Sequence, residues 1–185
     1  KSLKQEKSKF ELLRSKSIIA ILDGDKDFGP LIINGVDSGI KISMPYLSGP
    51  MLCTISNNWG LPATYDRNGG AKSRWEYLDD LLAHCIRNNR GSDLLAFLFS
   101  KQQFEDKLKD RTAKEIESAY KQIVTTIIDQ INGELCFGGN ELIKTGAVFM
   151  IRKRGTSAIL ATPTIKMVDR DYIADISGRA MKDIT

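Results

Sequence analysis

The feature that most constrains this chain is a run of about twenty residues, Thr112 to Ile131, written in a single period. Thr112 and Glu115 form a capping box, in which each side chain satisfies a free backbone N–H of a helix's first turn. Ile116, Tyr120, Ile123, Val124, Ile127, Ile128 and Ile131 then recur at steps of three and four, which predicts one long amphipathic helix. Asn132-Gly133 would end it. A second box, Ser73 with Glu76, opens another helix whose apolar set is Trp75, Leu78, Leu82, Cys85 and Ile86, ending by Gly91. Two stripes of this kind must be buried against something, so the middle of the chain is a packed helical core.

The rest of the chain is less regular. Leu3, Phe10, Leu13, Ile18, Ile21 and Leu22 recur at rough helical spacing and predict an N-terminal helical arm that stops at Asp23-Gly24-Asp25. Leu31 to Ile33 and Ile40 to Ile42, separated by Asn34-Gly35 and Asp37-Ser38-Gly39, suggest a small hairpin. Ser48-Gly49-Pro50 reads as a helix start, running to Gly60, because proline at the first helical position loses no intrahelical bond. Asp66 to Lys72 is polar and glycine-rich, and is read as a connection. Ser92 or Asp93 would cap a helix carrying Leu94, Leu95 and Leu98, with Phe104 and Leu108 beyond. After Glu134 the period becomes extended: 135–137, 147–151 and 158–160 read as short antiparallel strands. Asp169 would cap a last helix. The expected fold class is α+β and α-rich: packed helices with a small antiparallel sheet in the C-terminal third. It is read as one domain, 1–185, with a helical arm at 1–22, a helical core at 73–132, a small sheet at 134–167 and a terminal helix at 169–185.

A composition of 42% apolar and 27% charged residues is that of an ordinary globular domain and excludes a disordered tail or a fibre. The longest apolar stretches, 18–22 and the interrupted 40–47, are far shorter than the roughly 18 to 20 residues needed to cross a bilayer. No membrane association is expected. Cys53, Cys85 and Cys136 are an odd number, widely spaced, so a reducing compartment, the cytoplasm, is the expectation. The formal charge of +4 sits in residues 1–16, where six cations face two anions; a solvated N-terminal segment is the plainer account and a phosphate-binding arm the alternative.

Four patterns bear on chemistry. The apolar run Ile18 to Leu22 delivers Asp23, Asp25 and Asp27, and two carboxylates at the end of a buried strand would hold Mg²⁺ for a phosphatase or nuclease. The haloacid-dehalogenase pattern, however, wants Thr or Val where this chain has Asp27. An EF-hand loop fails at Phe28 and Asn34. The plainer reading is a helix ending in a solvated acidic loop. His84 is the only histidine, and it points about 100° away from Cys85 on the same helix, which argues for a structural role. Arg87 and Arg90 at a helix end, and Arg152, Lys153 and Arg154 at a strand end, would track a phosphate backbone or serve as favourable helix-end charges and a hairpin tip. Trp59, Tyr65, Trp75 and Tyr77 bracket the glycine-rich connection, as a stacking surface or, at helical spacing, as core. No cofactor is expected, and no reactive constellation identifies an enzyme.

One stretch carries a family likeness. Met44-Pro45-Tyr46-Leu47-Ser48-Gly49-Pro50, Ile55-Ser56, Gly60-Leu61-Pro62 and Ser73-Arg74-Trp75-Glu76-Tyr77-Leu78-Asp79-Asp80-Leu81 resemble the N-terminal region of bacterial abortive-infection proteins that carry an Abi C-terminal domain. The likeness covers about residues 44–86 and rests on turn, cap and packing residues. It implies a role in phage resistance, in which an infected cell stops growing before phage matures. It also implies that this chain is the N-terminal part of a longer protein. The expected function is thus a non-catalytic sensing, regulatory or assembly domain whose partners are its own C-terminal domain or further copies of itself. A metal-dependent nuclease or phosphatase using Asp23 and Asp25, and a nucleic-acid-binding module, are the alternatives.

Overall fold

The computed structural model describes residues 8–66 and 72–155. The N-terminal arm is not one helix. A 3-10 turn, Lys9–Arg14, is followed by α1 (Lys16–Leu22), and Ser15 breaks the two apart: its backbone is extended and its Oγ accepts the Ile18 N–H. Serine at this position satisfies a first-turn donor that a continuous helix would have bonded to its own backbone. Strands β1 (Pro30–Ile33) and β2 (Val36–Lys41) form the first hairpin, antiparallel, with Ile33 opposite Val36. Asn34 and Gly35 both take positive φ, 52° and 76°, as a turn matching strand twist requires.

Helix α2 (Gly49–Asn58) begins where the serine and proline place it, with Ser48 Oγ accepting the Met51 N–H. Both expected capping boxes are formed, at the starts of α3 (Arg74–Arg87) and α6 (Ala113–Leu135). Between these two helices lie α4 (Gly91–Leu98) and the single turn α5 (Glu105–Leu108). The second hairpin, β3 (Asn140–Thr145) with β4 (Val148–Lys153), pairs in continuous register, Leu142 opposite Ile151. The fold is therefore α+β and helix-rich, with two separate two-stranded antiparallel sheets, one of them in the C-terminal third.

Several boundaries differ from expectation for identifiable reasons. Helix α3 ends at Arg87, where Asn89 turns the chain with φ 58°, so α4 starts at Gly91 with Arg90 as its cap. Ser92 lies inside α4 and accepts the Phe149 N–H instead. Gly133 does not stop α6: Leu135 extends the apolar stripe one turn past Ile131 and is buried, so 135–137 is a helix end and a 3-10 turn rather than a strand. The chain leaves through Gly139 at φ 75°. The expected strand at 158–160 and the helix at 169–185 lie outside the described residues.

The core is one apolar cluster drawn from α1, α3, α4 and α6 and lined by both hairpins. Ile123, Ile127 and Ile131 are fully buried on the expected stripe of α6, with Ile116, Tyr120 and Ile128 half-buried along its margins. On α3, Leu78, Leu81, Leu82 and Cys85 are fully buried. Each buried leucine or isoleucine contributes about 1.5–3 kcal/mol relative to exposure, and this term holds the helices together. The N-terminal turn is clamped to α3 by Arg14, which donates to both carboxylate oxygens of Asp79 at 2.8 and 3.1 Å.

Candidate functional site

The three early aspartates do not converge. Asp23 caps α1 and is fully buried; one carboxylate oxygen accepts the Asp25 N–H at 3.0 Å, and the other has no hydrogen-bond partner among the described residues. Burial pushes its carboxyl up to about 6. Asp25 is about half exposed and paired with Arg74. Asp27 turns the other way, toward the first hairpin, accepting the Gly29 N–H at 2.8 Å and meeting Lys41 at 3.2 Å; the Gly29 hydrogen bond, with Lys41, lowers its carboxyl. Among the described residues, no three Asp, Glu, His or Cys side chains gather as metal ligands. The position that a cation would take beside Asp23 and Asp25 is held by the Arg74 guanidinium.

Arg74 organises this corner. Its Nε donates to the Leu47 carbonyl at 2.7 Å, Nη2 to the Asp23 carbonyl at 2.8 Å, and Nη1 to the Asp25 carboxylate. Its guanidinium lies 3.9 Å from the centre of the Tyr46 ring, at cation–π distance. The Leu47 N–H donates to the Asp23 carbonyl at 3.0 Å, which completes the link between the end of α1 and residues 44–48. Gly24 passes so close to this segment, at φ 89°, that a Cβ would stand 2.6 Å from the Pro45 carbonyl oxygen. The first residue of α3, the turn after α1 and the residues leading into α2 thus form one node.

Beside it lies a cleft of about 470 Å³ between the end of α2, the segment 61–64 and α3. Tyr77, Asp80, Ala83 and Arg87 line one wall, which the helical period places along a single face of α3. The Tyr77 hydroxyl donates to the Thr64 carbonyl at 3.1 Å, and Lys72 and Asp80 pair at 2.6 Å. Ser56 lines the cleft too; it is 1% exposed, and its hydroxyl has no hydrogen-bond partner among the described residues. Neither Arg74 as an organiser nor the cleft was anticipated. Arg74 stands in the sequence as the residue directly after the Ser73 cap and as part of the motif that carries the family likeness, neither of which marks it as an organiser.

The basic residues are dispersed in role. Arg90 lies 4.3 Å from the centre of the Trp59 ring. Arg152 pairs with Glu141 across the second hairpin at 3.1 Å. Lys153 and Arg154 are exposed at the end of β4, where the Arg154 N–H donates to the Gly139 carbonyl. Arg87 is exposed at the rim of the cleft. His84 donates from Nε2 to the Trp59 carbonyl at 3.0 Å, a structural bond, and Cys85 is fully buried, its thiol pushed up by burial. The four aromatics do not make one surface: Trp59 meets Phe97 edge-on, Tyr65 meets Tyr77, and Lys16 sits over Trp75. Among the described residues, no helix is long and apolar enough to cross a membrane. No family model, no curated protein and no solved structure matches this chain.

Proposed function

We propose that this chain is a non-catalytic sensing and regulatory domain of a bacterial abortive-infection system, acting in the cytoplasm against phage. The observation that supports the reading is the convergence of the stretches that carry the family likeness. Residues 44–50 and 73–81, more than twenty positions apart, meet through Arg74, Leu47 and Tyr46, and the intervening 55–62 forms the adjoining cleft. Their shared chemistry is holding and binding. The acids nearest to them are engaged by an arginine and by backbone N–H groups, and among the described residues the nuclease or phosphatase alternative has no gathered ligand set. Partners in this reading are the protein's own C-terminal domain or further copies of itself, and contact across the Tyr46 and Arg74 corner would report on what occupies the cleft.

The test is phage challenge of a sensitive bacterium carrying the intact gene, or the same gene lacking residues 9–155. Restricted plaque formation with the intact gene, and its loss or a constitutive growth arrest after deletion, is the expected result. Equal protection from both genes overturns the proposal.

A further inference from the structure

The cleft between α2, residues 61–64 and α3 has the dimensions and lining of a small-molecule site, and we propose that it binds a small organic anion, a carboxylate or a phosphate ester no larger than a nucleoside monophosphate. Its volume of about 470 Å³ falls within the roughly 300–1,000 Å³ of ligand pockets. Two features of the lining bear on the ligand. The Ser56 hydroxyl is shut away from water without a partner among the described residues, and a buried polar group left in that state is costly until something hydrogen-bonds to it. Arg87 lines the same cleft two helical turns beyond Asp80 and makes no ion pair among the described residues. Lys72 and Asp80 neutralise each other at the opposite end, where Asp66, beside Tyr77, adds a second carboxylate and leaves Arg87 as the end that suits an anion.

That asymmetry selects the ligand. The anionic group meets the guanidinium of Arg87, whose planar fork suits carboxylate and phosphate alike. Rotation of the Ser56 side chain about its Cα–Cβ bond brings its hydroxyl to a hydroxyl, amide or ring nitrogen in the body of the ligand. Pro62, Ala63 and Ala83 offer a smooth apolar slot between them. Ala83 is the residue that keeps the slot open, since a larger side chain there would fill it. Binding is a property of the chain itself, and is read on the purified protein whether or not that protein acts in phage defence.

The experiment is titration of the full chain with adenosine 5′-monophosphate, L-glutamate and inorganic phosphate separately, followed by ¹H–¹⁵N NMR and by thermal shift. Saturable binding of the nucleotide or the amino acid with Kd below about 1 mM, at least about tenfold weaker in Arg87→Glu and about three- to tenfold weaker in Ser56→Ala, is the expected outcome. The two organic probes distinguish a phosphate ester from a carboxylate. Ala83→Phe should abolish binding, and the two other variants carry the test should it fail to fold. Saturation by none of the probes, affinity unchanged in Arg87→Glu and Ser56→Ala, or inorganic phosphate binding as tightly as the organic probes would each overturn the assignment.

Discussion

Arg74 Nη2 donates to the main-chain carbonyl of Asp23 at 2.8 Å, yet stops 3.9 Å from that residue's carboxylate. The arginine holds the backbone of the turn more closely than it holds the charge. Two consequences separate: Arg74 fixes geometry, while the Asp23 anion is only partly compensated.

Replacing Arg74 with alanine removes three hydrogen bonds and leaves two carbonyls and the Asp25 carboxylate without their common donor. The expected loss is about 3 kcal/mol, or a melting temperature lower by about 6–12 °C. Arg74→Lys should recover little of this, because an ammonium cannot match the fork that reaches Leu47, Asp23 and Asp25 together. Chemical denaturation of the three proteins measures both.

Asp23 makes stability depend on pH in an unusual direction for a carboxylate. Its folded value of about 6 lies above the ordinary value of about 4, so the folded state binds the proton more tightly. Its contribution is fully present below about pH 4 and is lost as pH rises through about 6, by about 2 kcal/mol. Urea unfolding of wild type and Asp23→Asn at intervals from pH 4 to 7 reads this as a difference that shifts in the variant's favour. A difference constant across that range would show that the carboxyl is not raised.

Glycine-to-alanine changes should have opposite signs at two positions. At Gly24 the backbone is left-handed and the added Cβ would strike Pro45 and Tyr46 backbone atoms at 2.6–2.7 Å; a loss of about 3 kcal/mol or more is expected. At Gly133, inside α6, a Cβ meets nothing within 4 Å, and a gain of about 0.5–1 kcal/mol is expected. Thermal melts of the two variants decide.

The cap of the longest helix offers a milder test. Thr112→Ala should cost about 1 kcal/mol and Thr112→Ser nearly nothing, because the serine hydroxyl still accepts the Glu115 N–H. Equal losses in both variants would place the effect in the threonine methyl group instead.

What the residues announced in advance was local. The capping boxes of α3 and α6, the Ser48-Gly49-Pro50 start and the Asn34-Gly35 turn each depend on neighbours within four positions, and each formed. Gly133 misled because the pull of Leu135 toward the core outweighs the small helical penalty of one glycine, and Ser92 because its hydroxyl found a strand that its own segment does not reveal. Asp23 read as the start of a solvated acidic loop because its burial depends on Arg74, 51 positions away. The cleft was invisible for the same reason: Ser56, Thr64 and Arg87 become neighbours only once α2 and α3 have packed.

Asn132, the residue just before that glycine, reaches across to β3, donating to the Leu142 carbonyl at 3.0 Å and accepting its N–H at 2.6 Å. On the opposite side of the hairpin Ser92 takes the Phe149 N–H. One outward-facing position on each rim of this two-stranded sheet, Leu142 and Phe149, is therefore occupied by a side chain where a foreign strand would seek purchase. A strand that lengthened the ribbon would first have to break these bonds, whereas Val148 and Met150 present an exposed apolar face that a neighbour can cover without disturbing them.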